Sequence, residues 1–102
     1  MIKNILSAYA QLNPAHGAID TRELFDDERG RYALVEMGWH DKKYAYGNLI
    51  HVELIDGKIW IQYDGTENGI ADELVEAGVP KADIVLGFRH PKLRPYTGFA
   101  TG

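Results

Sequence analysis

The stretch DGTENGIADELVEAGVPKAD, residues 64–83, carries five carboxylates before Lys81 and opens with a glycine-bracketed loop of the kind that holds a phosphate or a metal. A calcium loop needs oxygen ligands at alternate positions through about twelve residues, but Asp64, Thr66 and Asn68 are followed by the apolar Ile70. A phosphate loop needs Gly-Lys-Ser/Thr at the entry to a helix, and residues 59–80 contain no lysine or arginine. Helix chemistry accounts for the segment better. Ile70, Ala71, Leu74, Val75 and Gly78 share one arc of a helical wheel, with Asp72, Glu73 and Glu76 on the opposite, solvated side. Asp64 and Glu67 have capping-box spacing, with Thr66 as a competing cap, and Gly78, Val79 and Pro80 form a Schellman-type stop.

The remaining reactive residue types are scattered. His16, His40, His51 and His90 share no metal-binding spacing and have no cysteine partners, so neither a metal nor a cofactor is expected. His51 and Glu53 lie two apart in a strand-like segment, where a carboxylate orients an imidazole for proton transfer; with Tyr63 they form the best candidate for a small catalytic site. The ordinary alternative is a half-buried histidine bonded to a neighbouring strand. Ser7, the only serine, lies on a helical stripe outside any G-x-S-x-G context. Asp26, Asp27 and Glu28, next to Arg29 and Gly30, read as a polar turn.

The elements that must position these residues follow from periodicity. Ile2, Ile5, Leu6 and Tyr9 make one stripe of an N-terminal helix that Pro14 closes. Strand character then runs through residues 19–25, 32–39, 44–55 and 58–63, with Asp56-Gly57 as a type I′ hairpin turn. Short connections between consecutive strands require antiparallel pairing. The expectation is an α+β domain: N-terminal helix, antiparallel four-stranded β-meander, C-terminal helix and an extended basic tail. Ile59, Ile61 and Tyr63 define its apolar face, opposite Lys58, Trp60 and Gln62. Trp39 and Trp60 belong under the tail, under a helix or in a subunit contact.

With 102 residues the chain builds one core and one domain, residues 1–102. The absence of cysteine, of a signal-type amino terminus and of a membrane-length apolar run points to the cytoplasm and away from a membrane. The net charge of −4 conceals an asymmetry: residues 1–83 hold fifteen acids against eight bases, while residues 84–102 hold Arg89, Lys92 and Arg94 and no acid. That tail, with Phe88, His90, Tyr96 and Phe99, reads as a strap whose aromatics complete the core and whose bases pair with the acidic helix of the same or a second subunit. The sharper alternative makes Arg89, His90, Lys92, Arg94 and Tyr96 a contact surface for an acidic partner or a phosphate backbone. Three bases on an acidic body limit DNA binding to a weak or indirect one. An exposed antiparallel edge and two tryptophans favour self-association as a dimer.

Three strings, YALVEMGWH, GNLIHVELIDGKIWIQYDGTENGIADELVEAGVPKADIVLGF and YTGFATG, resemble the XisI family over about Thr21 to Gly102. The family is named for control of excision of a DNA element from the nitrogen-fixation region of heterocyst-forming cyanobacteria. The resemblance implies a compact α+β domain that acts with a XisH partner, itself nuclease-like, and a site-specific recombinase. It brings no catalytic residues. This chain departs from the family pattern in a shorter first helix, and in Tyr63 where histidine often follows I-W-I-Q. The expected function is therefore a non-enzymatic regulatory subunit binding a XisH-like protein. The rivals are a small enzyme built on His51, Glu53 and Tyr63, and an immunity-like nuclease inhibitor whose acidic face, Asp72, Glu73 and Glu76, mimics phosphate.

Overall fold

The computed structural model describes residues 1–12, 18–67 and 69–102. Helix α1 (Ile2–Leu12) leads into strands β1 (Ala18–Asp26), β2 (Arg31–His40), β3 (Lys43–Ile55) and β4 (Lys58–Asp64). Helix α2 (Ile70–Glu76) and a 3-10 turn at Lys81–Asp83 then carry the chain to β5 (Ile84–Leu86). The expected ends of α1 at Pro14 and the position of His16 lie outside the described residues.

The four-stranded meander is present, and the expectation needs one correction: the sheet has five strands in the order β1-β2-β3-β4-β5, and β5 runs parallel to β4. A parallel neighbour needs a crossover, which α2 and the 3-10 turn supply. The first three pairings are antiparallel. Between β3 and β4, Asp56 and Gly57 both have positive φ, 51° and 77°, and Ile55 pairs with Lys58 as a two-residue hairpin requires.

Both helices pack on one face of the sheet. Leu6 from α1 and Ile70 and Leu74 from α2 meet Tyr32, Leu34, Ile50, Val52, Ile59, Ile61 and Ile84 in one core cluster. Each fully buried aliphatic side chain there contributes about 1.5–3 kcal/mol against exposure. Ile2, Ile5 and Tyr9 of the α1 stripe border the same cluster.

Two bulges break the alternation. Leu34 pairs with Ile50 but Val35 with Asn48, leaving Leu49 of β3 extra. Val52 pairs with Ile61 but His51 with Tyr63, leaving Gln62 of β4 extra. The second bulge overturns the expected placement of Tyr63 on the apolar face: it moves Tyr63 into register with His51, and its side chain is 48% exposed.

Candidate functional site

At the start of α2, Asp64 is the organising residue. Its Oδ2 accepts a hydrogen bond from the Ile70 amide at 2.8 Å, while Oδ1 accepts from the Thr66 amide (2.9 Å) and the Thr66 hydroxyl (2.6 Å). Thr66 Oγ1 in turn accepts from the Gly69 amide at 3.0 Å. The expected capping box is thereby corrected. The helix begins at Ile70, so Glu67 precedes its first turn, and Asp64 caps it from six residues upstream. Gly69, at φ 81°, turns the loop into the helix in a conformation that glycine adopts without strain.

The other end follows the sequence. Gly78 N–H donates to the Val75 carbonyl and Val79 N–H to that of Leu74, both at 3.0 Å, which completes a Schellman motif with Gly78 at φ 105°. Ile70 and Leu74 are buried, whereas Asp72, Glu73 and Glu76 face solvent. None of these three acids takes a salt bridge among the described residues.

A cleft of about 190 Å³ separates Tyr9 of α1 from Thr66, Glu67, Gly69, Ile70 and Glu73. Burial, followed by the fields of Asp64, Glu36, Glu73 and Glu67, raises the Tyr9 phenol above its ordinary pKa. Glu67 and Glu73 give the lining of the cleft negative charge, which opposes an anion there. Among the described residues, no three His, Asp or Glu side chains are grouped to hold a metal ion.

His51, Glu53 and Tyr63 lie on the sheet face away from the helices. His51 Nε2 stands 3.3 Å from Glu53 Oε1, as their spacing suggested. Glu53 also faces Arg31, whose Nε is 3.7 Å from Oε2. The Tyr63 ring leans along its own strand over Gly65, with ring and hydroxyl atoms 3.3 and 3.4 Å from where a Gly65 Cβ would stand. Tyr63 makes no hydrogen bond to His51 among the described residues, so register brings the trio side by side without a shared proton path.

Ser7 donates to Glu23 Oε2 at 2.7 Å. The acidic turn is a charge latch: Asp26 accepts from the amide and guanidinium of Arg29, and Asp27 accepts from Lys3 Nζ and the Tyr32 hydroxyl. Those hydrogen bonds hold both carboxyls below the usual aspartate range.

The tail divides. Ala100 N–H donates to the Ile84 carbonyl at 2.8 Å, Phe99 packs against the core and Lys58 Nζ donates to the Gly102 carbonyl at 2.7 Å. Arg94 lies over Trp60, its guanidinium carbon 5.1 Å from the ring centre. The same side chain donates to the carbonyls of Arg89 (3.1 Å) and Gly87 (3.3 Å). Residues 87–102 are thus a strap, but pairing of its bases with the acidic helix of the same subunit is absent among the described residues: Arg94 goes to Trp60 and Arg89 to Phe88. Arg89, His90, Lys92 and Tyr96 are exposed, Tyr96 by 86%. Trp39 lies at the far end of the sheet, 55% exposed, with its ring 5.1 Å from that of Tyr44.

Trp60 lies under the tail, one of the placements open to it from the sequence; what escapes the sequence is that Arg94 is the residue that covers it, and the capping reach of Asp64. A D-x-T-x-x-G run before an apolar helix is the only local hint of the second.

The family described as XisI protein matches residues 1–101. The structure is similar to a XisI-like protein from Anabaena variabilis ATCC 29413, with 36% identity, a TM-score of 0.93, and coverage of 99% of this chain and 93% of that one. It is also similar to a protein from the same organism described as the fdxN element excision controlling factor XisI, with 35% identity, a TM-score of 0.82, and coverage of 99% and 91%. Comparison with curated proteins finds no match.

Proposed function

The chain belongs to the XisI family, and from that premise we propose that it is a regulatory or accessory protein in the control of programmed DNA element excision. It acts by binding a XisH-like, nuclease-related protein rather than by making or breaking bonds. The excision role rests on the description of the Anabaena relative. The observation that supports binding is the exposure of two opposite charge sets that the fold does not neutralise internally. Asp72, Glu73 and Glu76 stand on α2, and Arg89 and Lys92 stand on the strap beside the exposed His90 and Tyr96.

Direct DNA binding has little support from this surface. With Arg94 occupied by Trp60, the strap offers two bases, Arg89 and Lys92. Two phosphate contacts give a salt slope of about −1.8 in log K against log salt. Two measurements test the reading: co-purification with a XisH-like protein, and DNA affinity over a salt series. Failure to bind any XisH-like protein, together with tight duplex binding on a steep salt slope, overturns it.

The second reading, catalysis at His51, takes its support from the 3.3 Å approach to Glu53. It requires Tyr63 to swing off Gly65. His51→Ala is expected to leave partner binding and excision control unchanged; loss of excision control with binding intact favours catalysis.

A further inference from the structure

Strand β3 spans Lys43–Ile55, but β4 covers it only from Ile50 to Ile55, with one added backbone bond from Gly65 N–H to the Leu49 carbonyl. Residues 43–48 are paired on one side by β2 and, among the described residues, by nothing on the other. The open edge spans about 20 Å. An unpaired edge is a template for another strand, and proteins that avoid such pairing place charges on it. The opposite edge of the sheet does so: β1 carries Asp20, Arg22, Glu23 and Asp26. The β3 edge reads Tyr-Ala-Tyr-Gly-Asn after Lys43 and is uncharged from Tyr44 to Asn48.

We propose that this edge seats the same strand of a second copy of the chain, in a two-fold antiparallel pair that joins two five-stranded sheets into one of ten strands. Register and charge both select this occupant. A dyad perpendicular to the sheet keeps the open faces of both copies on one side, so residues can pair only with residues of like parity. Centred on Ala45, the pair sets Tyr44 against the partner's Tyr46, and Lys43 against the partner's Gly47. No like charges oppose each other. The space beside Gly47 is empty, since a Cβ there would meet nothing within 4 Å. Tyr44 and Tyr46, 54% and 68% exposed, become a continuous aromatic row with Trp39.

Charge complementarity closes the ends. The incoming strand lies in line with β4, so its start abuts the loop that follows Asp64. That loop carries the exposed Glu67, and the incoming strand starts with the exposed Lys42 and Lys43. By symmetry the lysine–glutamate contact forms twice. This association is separate from the partner binding proposed above, because it uses neither α2 acids nor strap bases.

Light scattering coupled to size exclusion, over a concentration series, tests it. The mass should rise from 11.5 kDa toward twice that value as concentration increases. Ala45→Lys places like charges against each other at the axis and should weaken association about tenfold or more. Lys42→Glu with Lys43→Glu, at the exposed hairpin tip, should weaken it similarly, and adding Glu67→Lys should restore it. Amide exchange at residues 43–48 should slow as concentration rises. A mass of 11.5 kDa at every concentration overturns the proposal. So does a dimer indifferent to the charge reversals, or one that protects β1 instead.

Discussion

Removing Arg94 should loosen the strap, which Ala100, Phe99 and Lys58 still hold, and the structure gives the size of the effect. Its guanidinium covers Trp60 at 5.1 Å from the ring centre, a half-buried cation–π contact of about 1 kcal/mol. Its two donations, to Arg89 O at 3.1 Å and Gly87 O at 3.3 Å, compete with water and add about 1 kcal/mol together. Arg94→Ala should therefore cost about 2 kcal/mol. Arg94→Lys, which keeps the charge but not the planar fork, should cost about half of that. Arg89→Ala, on an exposed side chain, should stay within about 0.5 kcal/mol. Urea unfolding followed by tryptophan fluorescence reads all three, and Trp60→Leu alone and combined with Arg94→Ala isolates the contact as a coupling of about 1 kcal/mol. Equal, small losses for Arg94→Ala and Arg89→Ala, or zero coupling to Trp60, would refute Arg94 as an anchor of the strap.

Gly87→Ala places a Cβ 2.6 Å from Gln62 Oε1, which can move, but also 3.2 Å from the Ile61 carbonyl and the Trp60 ring; overpacking should cost about 1–3 kcal/mol in a denaturant titration. Gly78→Ala forces a side chain into φ 105° and should lower stability by about 1 kcal/mol in the same assay, with no new steric contact to blame. Because hydrogen bonds hold Asp27 below the ordinary carboxyl range, its latch stabilises the fold above about pH 4 and is lost as pH falls through the lowered value. The same latch raises Tyr32 and Lys3, so it is lost again as pH climbs past about 10; Asp27→Asn should flatten stability at both extremes. Exchanging Asp72, Glu73 and Glu76 together for lysine should abolish capture of a XisH-like protein while leaving the helical circular dichroism signal intact.

What could be read from the sequence is what local chemistry dictates. Asp56-Gly57 demands positive φ angles and forms the hairpin; Gly78-Val79-Pro80 ends α2 as glycine and proline must; the acids at 72, 73 and 76 fall on the solvent side of a stripe begun by Ile70. What could not be read depends on distance along the chain. Three residues, Ile84–Leu86, are too short to declare themselves a strand, and their parallel pairing exists only because α2 returns the chain beside β4. The bulge at Gln62 leaves no mark in an I-W-I-Q-Y alternation, yet it moves Tyr63 to the other face. Capping-box spacing at Asp64 and Glu67 was a true signal for a helix start, displaced because Thr66 and Gly69 fold the intervening loop onto Asp64. At the candidate site, the His51–Glu53 contact follows from a two-residue strand spacing, while the orientation of Tyr63 depends on the absent side chain of Gly65.

The bond from Ala100 N–H to Ile84 O places the outermost support of the sheet at the opposite end of the polypeptide from α1. Hairpins between β1 and β4 close over short loops and can form early, but β5 stays bare on its outer side until residue 100 is in place. The domain therefore finishes folding only once Ala100 has joined the sheet beside β5. A nascent intermediate lacking that final bracket would expose Trp60 and Val85 to chaperones.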